Sequence, residues 1–499
     1  MAEIRFVDTT LRDGQMSLWA MSMRTGMMLP VLEFLDRAGF EAIEIIAPAF
    51  FKKCVRELRE DPWLRLRLAR ERVTRTPLRA ICGRYMAAFQ ITPRAVRKLL
   101  MARFAAHGIQ EVRISDPSNT VSCWQEAIED AREAGLRPII NLIFSISPKH
   151  TDEYYAQRTR EASRLDVSRL CIKDPGGLLT PERTRSLVRA VLTESNGIPV
   201  EFHTHCNTGL GPLCCLEAVR AGVEIVNVAI PPLANGSSNP SVFSVSRNLR
   251  GLGYHPRIDE DVLKPVSDHL TFIARLENLP MGIPAEYDAG YYRHQVPGGM
   301  ISNLRHQLAQ MGREHLLEAV LEEIAQVRAE LGYPIMVTPY SQFVGVQATM
   351  NVLLGERYKE VTDEVIQYAL GLWGEEEASS IDPNIRDRIL DRPRARELAR
   401  WQPPEPSIEE LRTRLGGPGL SDDELLLRYF AGAADVAAMK AAGPPREYVG
   451  VHRPLMALLA ELVRRGQEYR SISIERNGFS LRLERCLQGE GATGTPESA

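Results

Sequence analysis

His203 and His205, in EFHTHCNTG, place two imidazoles at i and i+2, and on a β-strand such residues point to the same side. Two neutral imidazoles so placed are half of a site for a divalent cation, and they are equally a pair of ordinary hydrogen-bonded histidines. Asp8 and Asp13 bracket the turn DTTLRD, with Arg12 between them. They act either as turn caps in an ion pair, or as one carboxylate for a metal and one for the local backbone. Lys173 ends the apolar run VSRLCIK and is followed by Asp174 and Pro-Gly-Gly. As an ammonium it pairs with an acid such as Asp174; after its amine reacts with CO2 it is an anionic carbamate, an oxygen ligand. Thr338, in VTPYSQ, carries a hydroxyl able both to give and to take a hydrogen bond, while a Thr-Pro pair by itself marks a helix start with Pro339 at the first helical position.

These groups are far apart in the chain, so a scaffold must gather them. Over roughly the first 235 residues, short β-branched runs alternate with segments of helical period, the pattern of a parallel sheet with crossover helices. The runs begin at Ile4, Ala42, Pro77, Glu111, Arg137, Arg169, Pro199 and Glu224. Eight strands with helices between them predict an α/β fold of the (β/α)8 TIM-barrel type. A doubly wound sheet would carry a Gly-rich phosphate turn after its first strand, where this chain has DTTLRDGQMS. In a barrel the carboxyl ends of all strands open on one face, which would bring Asp8, Asp13, Asp116, Lys173, Asp174, His203 and His205 together. From Asp259 to Trp401 the pattern is mostly helical, WQPPEPS and a later GPP are breaks, and SISIERNGFSLRLER predicts a hairpin. The expected division is a barrel over 1–285, a helical domain over 286–400, helices and a hairpin over 401–485, and a disordered tail over 486–499.

The 499 residues hold 61 Lys and Arg against 64 Asp and Glu, a net charge of −3, which argues against a dedicated nucleic-acid or anionic-membrane binder. No run approaches the ~20 apolar residues of a membrane span, and MAEIRFVDTT lacks a signal-peptide pattern, so a cytoplasmic protein is expected. The eight cysteines form no CxxC pair and are expected to be free, partly buried thiols.

The stretches DTTLRDGQMSLWAMSMRT, REDPWLRLR, IKDPGGLLTPE, EFHTHCNTG, YRHQVPGGMISNL and VTPYSQFVGVQA occur in that order. Together they resemble the carboxyltransferase component of biotin-dependent enzymes that act on oxo acids, the pyruvate carboxylase, oxaloacetate decarboxylase and transcarboxylase group. The resemblance implies a divalent metal held by Asp13, a carbamylated Lys173, His203 and His205, in a mixed shell that suits zinc, manganese or cobalt. It implies that Arg12 adds a fixed positive charge beside the metal. Thr338 is implied to move a proton between biotin and the substrate carbon, from a helical region that completes the active site and pairs the chain into a homodimer.

Several positions depart from the family pattern. Met16 stands where the family has a glutamine, with Gln15 one step earlier; the family arginine after the third strand falls on Gly83, next to Arg84; an aspartate becomes Lys52; a pocket tyrosine becomes Phe89 or Gln90; and Cys206 follows the second histidine in place of an aspartate. Gln15, Met16, Lys52, Arg84 and Asp116 are therefore the substrate-binding candidates. Pyruvate or oxaloacetate is the default acceptor class, and a different or larger acceptor gripped by Lys52 or Arg84 is the reading that the changes favour. AAMKAAG around Lys440 has helical surroundings and reads as a surface lysine, so biotin is expected on a separate carrier protein charged by a biotin carboxylase subunit. The alternatives are a biotin-independent, metal-dependent decarboxylase or aldolase-type lyase on the same barrel, and a non-catalytic assembly subunit.

Overall fold

The computed structural model describes residues 2–86, 91–296, 298–448, 462, 471–476 and 479–484. The predicted runs become β1 (Glu3–Asp8), β2 (Ala42–Ile46), β3 (Leu78–Cys82), β4 (Glu111–Ile114), β5 (Arg137–Ile143), β6 (Arg169–Asp174), β7 (Val200–Thr204) and β8 (Ile225–Val228). All neighbours are parallel, and β1 closes the barrel by pairing with β8 through Arg5↔Ile225 to Asp8↔Val228 and with β2 through Val7↔Ala42 and Asp8↔Ile43. Eight helices follow the strands in turn: α1 (Leu32–Arg37), α2 (Pro62–Arg72), α3 (Arg94–Ala106), α4 (Val121–Glu133), α5 (Asp152–Ala162), α6 (Pro181–Glu194), α7 (Gly211–Arg220) and α8 (Val242–Gly251). Their starts are locally encoded: Thr180 caps α6 by accepting from the Arg183 amide, with Pro181 in the first turn. A two-residue strand, β9 (His255–Pro256), adds to the early half of β1 and gives no sequence signal of its own.

The barrel interior is ionic as well as apolar. AIEII, LRAIC, EVRI and VEFHT each carry a charge mid-strand at positions that the period of two turns inward. Arg79 donates through two nitrogens to Glu201, at 2.8 Å each, and also to Glu111. One layer up, the Arg113 side chain donates to Glu44, Asn141, Asn227 and the Cys171 sulfur. Charges buried this deeply are tolerated because each is paired, and removing one partner typically costs about 3–5 kcal/mol.

Beyond the barrel, helices including α9 (Leu317–Glu330) and α10 (Tyr340–Leu354) pack around a second core that contains Val296, Leu308, Ile324, Tyr340, Phe343 and Trp373. This region sits on the carboxyl-end loops of the barrel. The Arg328 guanidinium donates to Ser145 Oγ and the Ile146 carbonyl after β5, the Gln295 amide also donates to Ile146, and Arg84 after β3 donates to the Trp373 carbonyl. Later helices return to the side of the barrel, where Arg59 pairs with Asp435 and Arg103 with Asp423. Met1–Arg446 form one compact unit. The second unit, Glu447–Ala499, contains the predicted hairpin as β10 (Ser471–Arg476) and β11 (Phe479–Glu484), paired from Ser471↔Glu484 to Arg476↔Phe479. The expected tail lies outside the described residues, as do Phe89, Gln90 and Cys486.

Cys54, Cys82, Cys123, Cys171, Cys206, Cys214 and Cys215 are all free and buried. Burial pushes the thiols of Cys82, Cys171 and Cys214 up to about 12. Among the described residues no helix is long and apolar enough to cross a membrane.

Candidate metal centre

His203 lies on β7 and His205 one residue beyond its end, so both rings face the barrel mouth, 5.3 Å apart between centroids. Asp13 arrives from the wide helical turn Thr10–Gly14 that follows β1. Its Oδ2 is 3.0 Å from His203 Nε2 and 3.3 Å from His205 Nε2. The far nitrogen of each ring is already engaged: His203 Nδ1 lies 3.0 Å from Asn227 Oδ1, and His205 Nδ1 lies 2.6 Å from the Ser237 carbonyl. Both oxygens accept, because Asn227 is oriented by donating its amide to Glu201 while accepting from Arg113. Each imidazole therefore carries its proton on Nδ1 and turns the Nε2 lone pair toward a carboxylate oxygen.

Three lone-pair donors thus converge in a buried place. Asp13 Oδ2 and His205 Nε2 have no hydrogen-bond partner there, and Asn239 offers only a 3.2 Å amide contact to His203 Nε2. Burial would raise the Asp13 pKa, but the Arg12 guanidinium beside it more than offsets this and holds it well below the usual carboxylate range. Burial, assisted by Arg113, pulls His203 down to about 3, so it is neutral near pH 7. A carboxylate and two imidazoles, with donor atoms within 4.8 Å of one another, fit a divalent cation. Donors bound at about 2.1 Å to a single ion lie about 3.0–3.4 Å apart, which is the separation seen here.

Lys173, the last but one residue of β6, is buried beside this group. It does not pair with Asp174, whose carboxylate accepts from the Leu178 and Leu179 amides and from Thr204. Among the described residues the Lys173 ammonium has no hydrogen-bond partner, and burial together with the Arg12 guanidinium pulls its pKa down to about 8. Arg12 is fixed by Glu44, which it meets through Nε at 2.9 Å and Nη2 at 2.5 Å, and it stands 3.1 Å from Asp13 Oδ2. Asp8 points elsewhere: it accepts from the Thr10 amide and hydroxyl, and burial pushes it up to about 7.

The remaining candidates fall in three places. Gln15 is buried and spent on the turn, donating to the Leu11 carbonyl and accepting from the Met23 amide; Met16 beside it is half-buried. Lys52 is exposed on the short helix Ala49–Lys53. Arg84 and Asp116 meet in a two-point ion pair of 2.6 and 3.1 Å, which leaves Arg84 Nη1 without a partner among the described residues. Gly83 cannot carry a side chain on this backbone, since a Cβ would lie 2.2 Å from the Ser115 carbonyl oxygen, so Arg84 is the cation that this turn presents. Thr338 is exposed, and Pro339 occupies the capping position of α10 rather than its first turn. Tyr340, two residues on, stacks with Trp373 and lies 6.4 Å from Tyr85 of the loop after β3. Lys440 is on a helix, paired with Glu424 at 2.7 Å. The supporting residues Glu44, Arg113, Asn227 and Asn239 and the Ser237 carbonyl escape a reading of the sequence; the mid-strand charges were the available signal.

Residues 3–270 match the family described as HMGL-like, and residues 291–431 match the conserved carboxylase domain. A pyruvate carboxylase subunit of Methanocaldococcus jannaschii is 38% identical over 390 residues, 78% of this chain and 68% of that protein. The 2-oxoglutarate carboxylase large subunit of Hydrogenobacter thermophilus is 31% identical over 440 residues, 86% of this chain and 67% of the relative, so the chain spans about two thirds of the length of both. Among solved structures, the carboxyl transferase domain of Rhizobium etli pyruvate carboxylase superposes with a TM-score of 0.78 at 24% identity, over 89% of this chain and 78% of that one.

Proposed function

Because the chain belongs to the carboxyltransferase family of biotin-dependent carboxylases, in which an HMGL-like barrel is followed by a conserved carboxylase domain, we propose that it moves CO2 between carboxybiotin on a separate carrier protein and a small oxo acid. The observation that carries the reading is the set of three buried lone-pair donors, Asp13 Oδ2, His203 Nε2 and His205 Nε2, turned on one another. They would hold a divalent metal, with Lys173 as a fourth ligand after its amine nitrogen bonds to the carbon of CO2 and loses a proton to solvent. A divalent cation bound there would supply Lewis acidity toward the oxo-acid oxygen.

Arg12, locked on Glu44, adds a positive charge that needs no rearrangement during the reaction. The Thr338 hydroxyl, at the exposed start of α10, relays the proton that leaves the acceptor carbon to the biotin nitrogen that releases CO2. Arg84 orients the acceptor carboxylate through its unpartnered Nη1, while Asp116 holds the rest of the guanidinium. The acceptor is pyruvate or a longer oxo acid of the 2-oxoglutarate kind, and a biotin carboxylase subunit recharges the carrier.

Metal content of purified protein is the test, alongside oxaloacetate decarboxylation with and without free biotin. Near-stoichiometric metal that is lost in His203→Ala and reduced in Lys173→Ala, with turnover that needs biotin, supports the reading. Metal-dependent turnover indifferent to biotin would replace it with a lyase, and protein unable to bind metal would leave an assembly role.

A further inference from the structure

A cavity of about 480 Å³ lies between the loop after β7, the loop after β8 and the segment at Pro284 and Ala285. That volume is within the range of about 300–1,000 Å³ typical of small-molecule sites. None of Asp13, Lys173, His203 and His205 lines it, and neither does any carboxylate.

Helix α8 begins in its wall. Ser241 is the capping residue, yet its side chain makes no capping bond, although a serine here ordinarily accepts from the second or third amide of the helix. Ser241 is only 6% exposed, it lines the cavity, and among the described residues its hydroxyl has no hydrogen-bond partner. The first amide of α8, of Val242, donates to Ala229. The next two, of Phe243 and Ser244, meet no acceptor among the described residues. One turn on, Arg247 lies over the Phe243 ring at 5.7 Å and gives Nε to Glu260 at 2.8 Å, while its two terminal nitrogens have no hydrogen-bond partner among the described residues.

The cavity therefore offers open backbone N–H groups at the positive end of a ten-residue helix, the hydroxyl of a serine that is nine-tenths buried, and a guanidinium whose Nε alone is held by Glu260, and no carboxylate lines it. Such a set suits a tetrahedral dianion, and the mouth of a barrel after its seventh and eighth strands is where phosphate groups commonly sit. Phe243, Pro212 and Pro284 leave apolar room beside the anion position. We propose that this cavity binds the phosphate group of a small phosphorylated metabolite, at a site separate from the metal centre. Asn235 and Ser241 bracket Ser237, whose carbonyl fixes His205, so the occupant and the metal centre share one loop.

Calorimetric titration of the full chain with inorganic phosphate and with phenyl phosphate tests this. The expected result is saturable binding of one anion per chain, weakened about tenfold or more by Ser244→Asp and by Arg247→Ala, largely restored in Arg247→Lys, and retained in His203→Ala. Tighter binding of phenyl phosphate than of inorganic phosphate supports an organic phosphate as the occupant, and equal or weaker binding overturns that part and leaves free phosphate. Absence of saturable binding by either probe overturns the proposal. So does binding that is lost in His203→Ala and indifferent to both cavity substitutions, since the anion would then sit on the metal. Arg247 is largely exposed, so its variants fold even if Ser244→Asp does not.

Discussion

Asn227 touches no substrate in this arrangement, yet it decides which nitrogen of His203 is free. Asn227→Ala should keep all of the proposed ligands and still weaken metal binding about 10–100-fold, measured by competition with a chelator, whereas His203→Ala should abolish it. Arg84 and Lys52 part in the same way: Arg84→Ala should raise the KM for the oxo acid about tenfold or more, because a charged hydrogen bond is lost, and Lys52→Ala should leave it unchanged. The histidine pair was legible because a period of two makes its direction obvious. The choice between Asp8 and Asp13 was not, since both bracket one turn and only the closed barrel brings Asp13 against β7. Glu44 and Arg113 were missed because a lone charge in a strand reads as a solvated face until its counter-charge is found on a different strand, and Asn227 because an uncharged amide in a strand gives no signal until its partners are seen.

At the scale of elements, the joint between α9 and the loop after β5 turns on Arg328, which is buried, has no carboxylate partner among the described residues and is pulled by burial down to about 10. It serves three acceptors: Ser145 Oγ and the carbonyls of Ile146 and Pro334. Arg328→Met strands all three and should cost roughly 2–4 kcal/mol in chemical denaturation, with kcat lowered and metal content intact, because the region carrying Thr338 loses its seat. Glu377, in the short helix Glu375–Ser379, is buried with one carboxylate oxygen unpaired, and burial pushes it from its ordinary 4.5 up to about 7. The folded chain thus holds a proton that the unfolded chain releases between those values. Stability should therefore fall as pH rises from about 4.5 to 7 and then level off. Glu377→Gln should make that part of a plot of melting temperature against pH shallower, the remaining slope coming from Asp8, which burial raises to about the same value. The helices themselves were legible from their period, but their seating was not, because it rests on single side chains reaching backbone carbonyls.

The eight-stranded order of the whole molecule follows from the alternation of runs and helices, and strand starts match within a residue or so. What periodicity cannot reveal is how the barrel is filled: an Arg and Glu lattice and an apolar interior produce the same outward alternation. The two-residue β9 is too short to have a period at all. The seven buried thiols have a further use that concerns observation rather than catalysis. They are distributed around the barrel, on β3, β6, α4 and α7 and in the loops after β2 and β7, and burial has made those of β3, β6 and α7 poor nucleophiles. Intact protein should leave all seven untouched by a thiol-selective dye, and each sector should label only as fast as it opens. Labelling followed cysteine by cysteine by mass spectrometry would then serve as a set of native clocks around the barrel, and Cys171, at its centre, should be the last to strike.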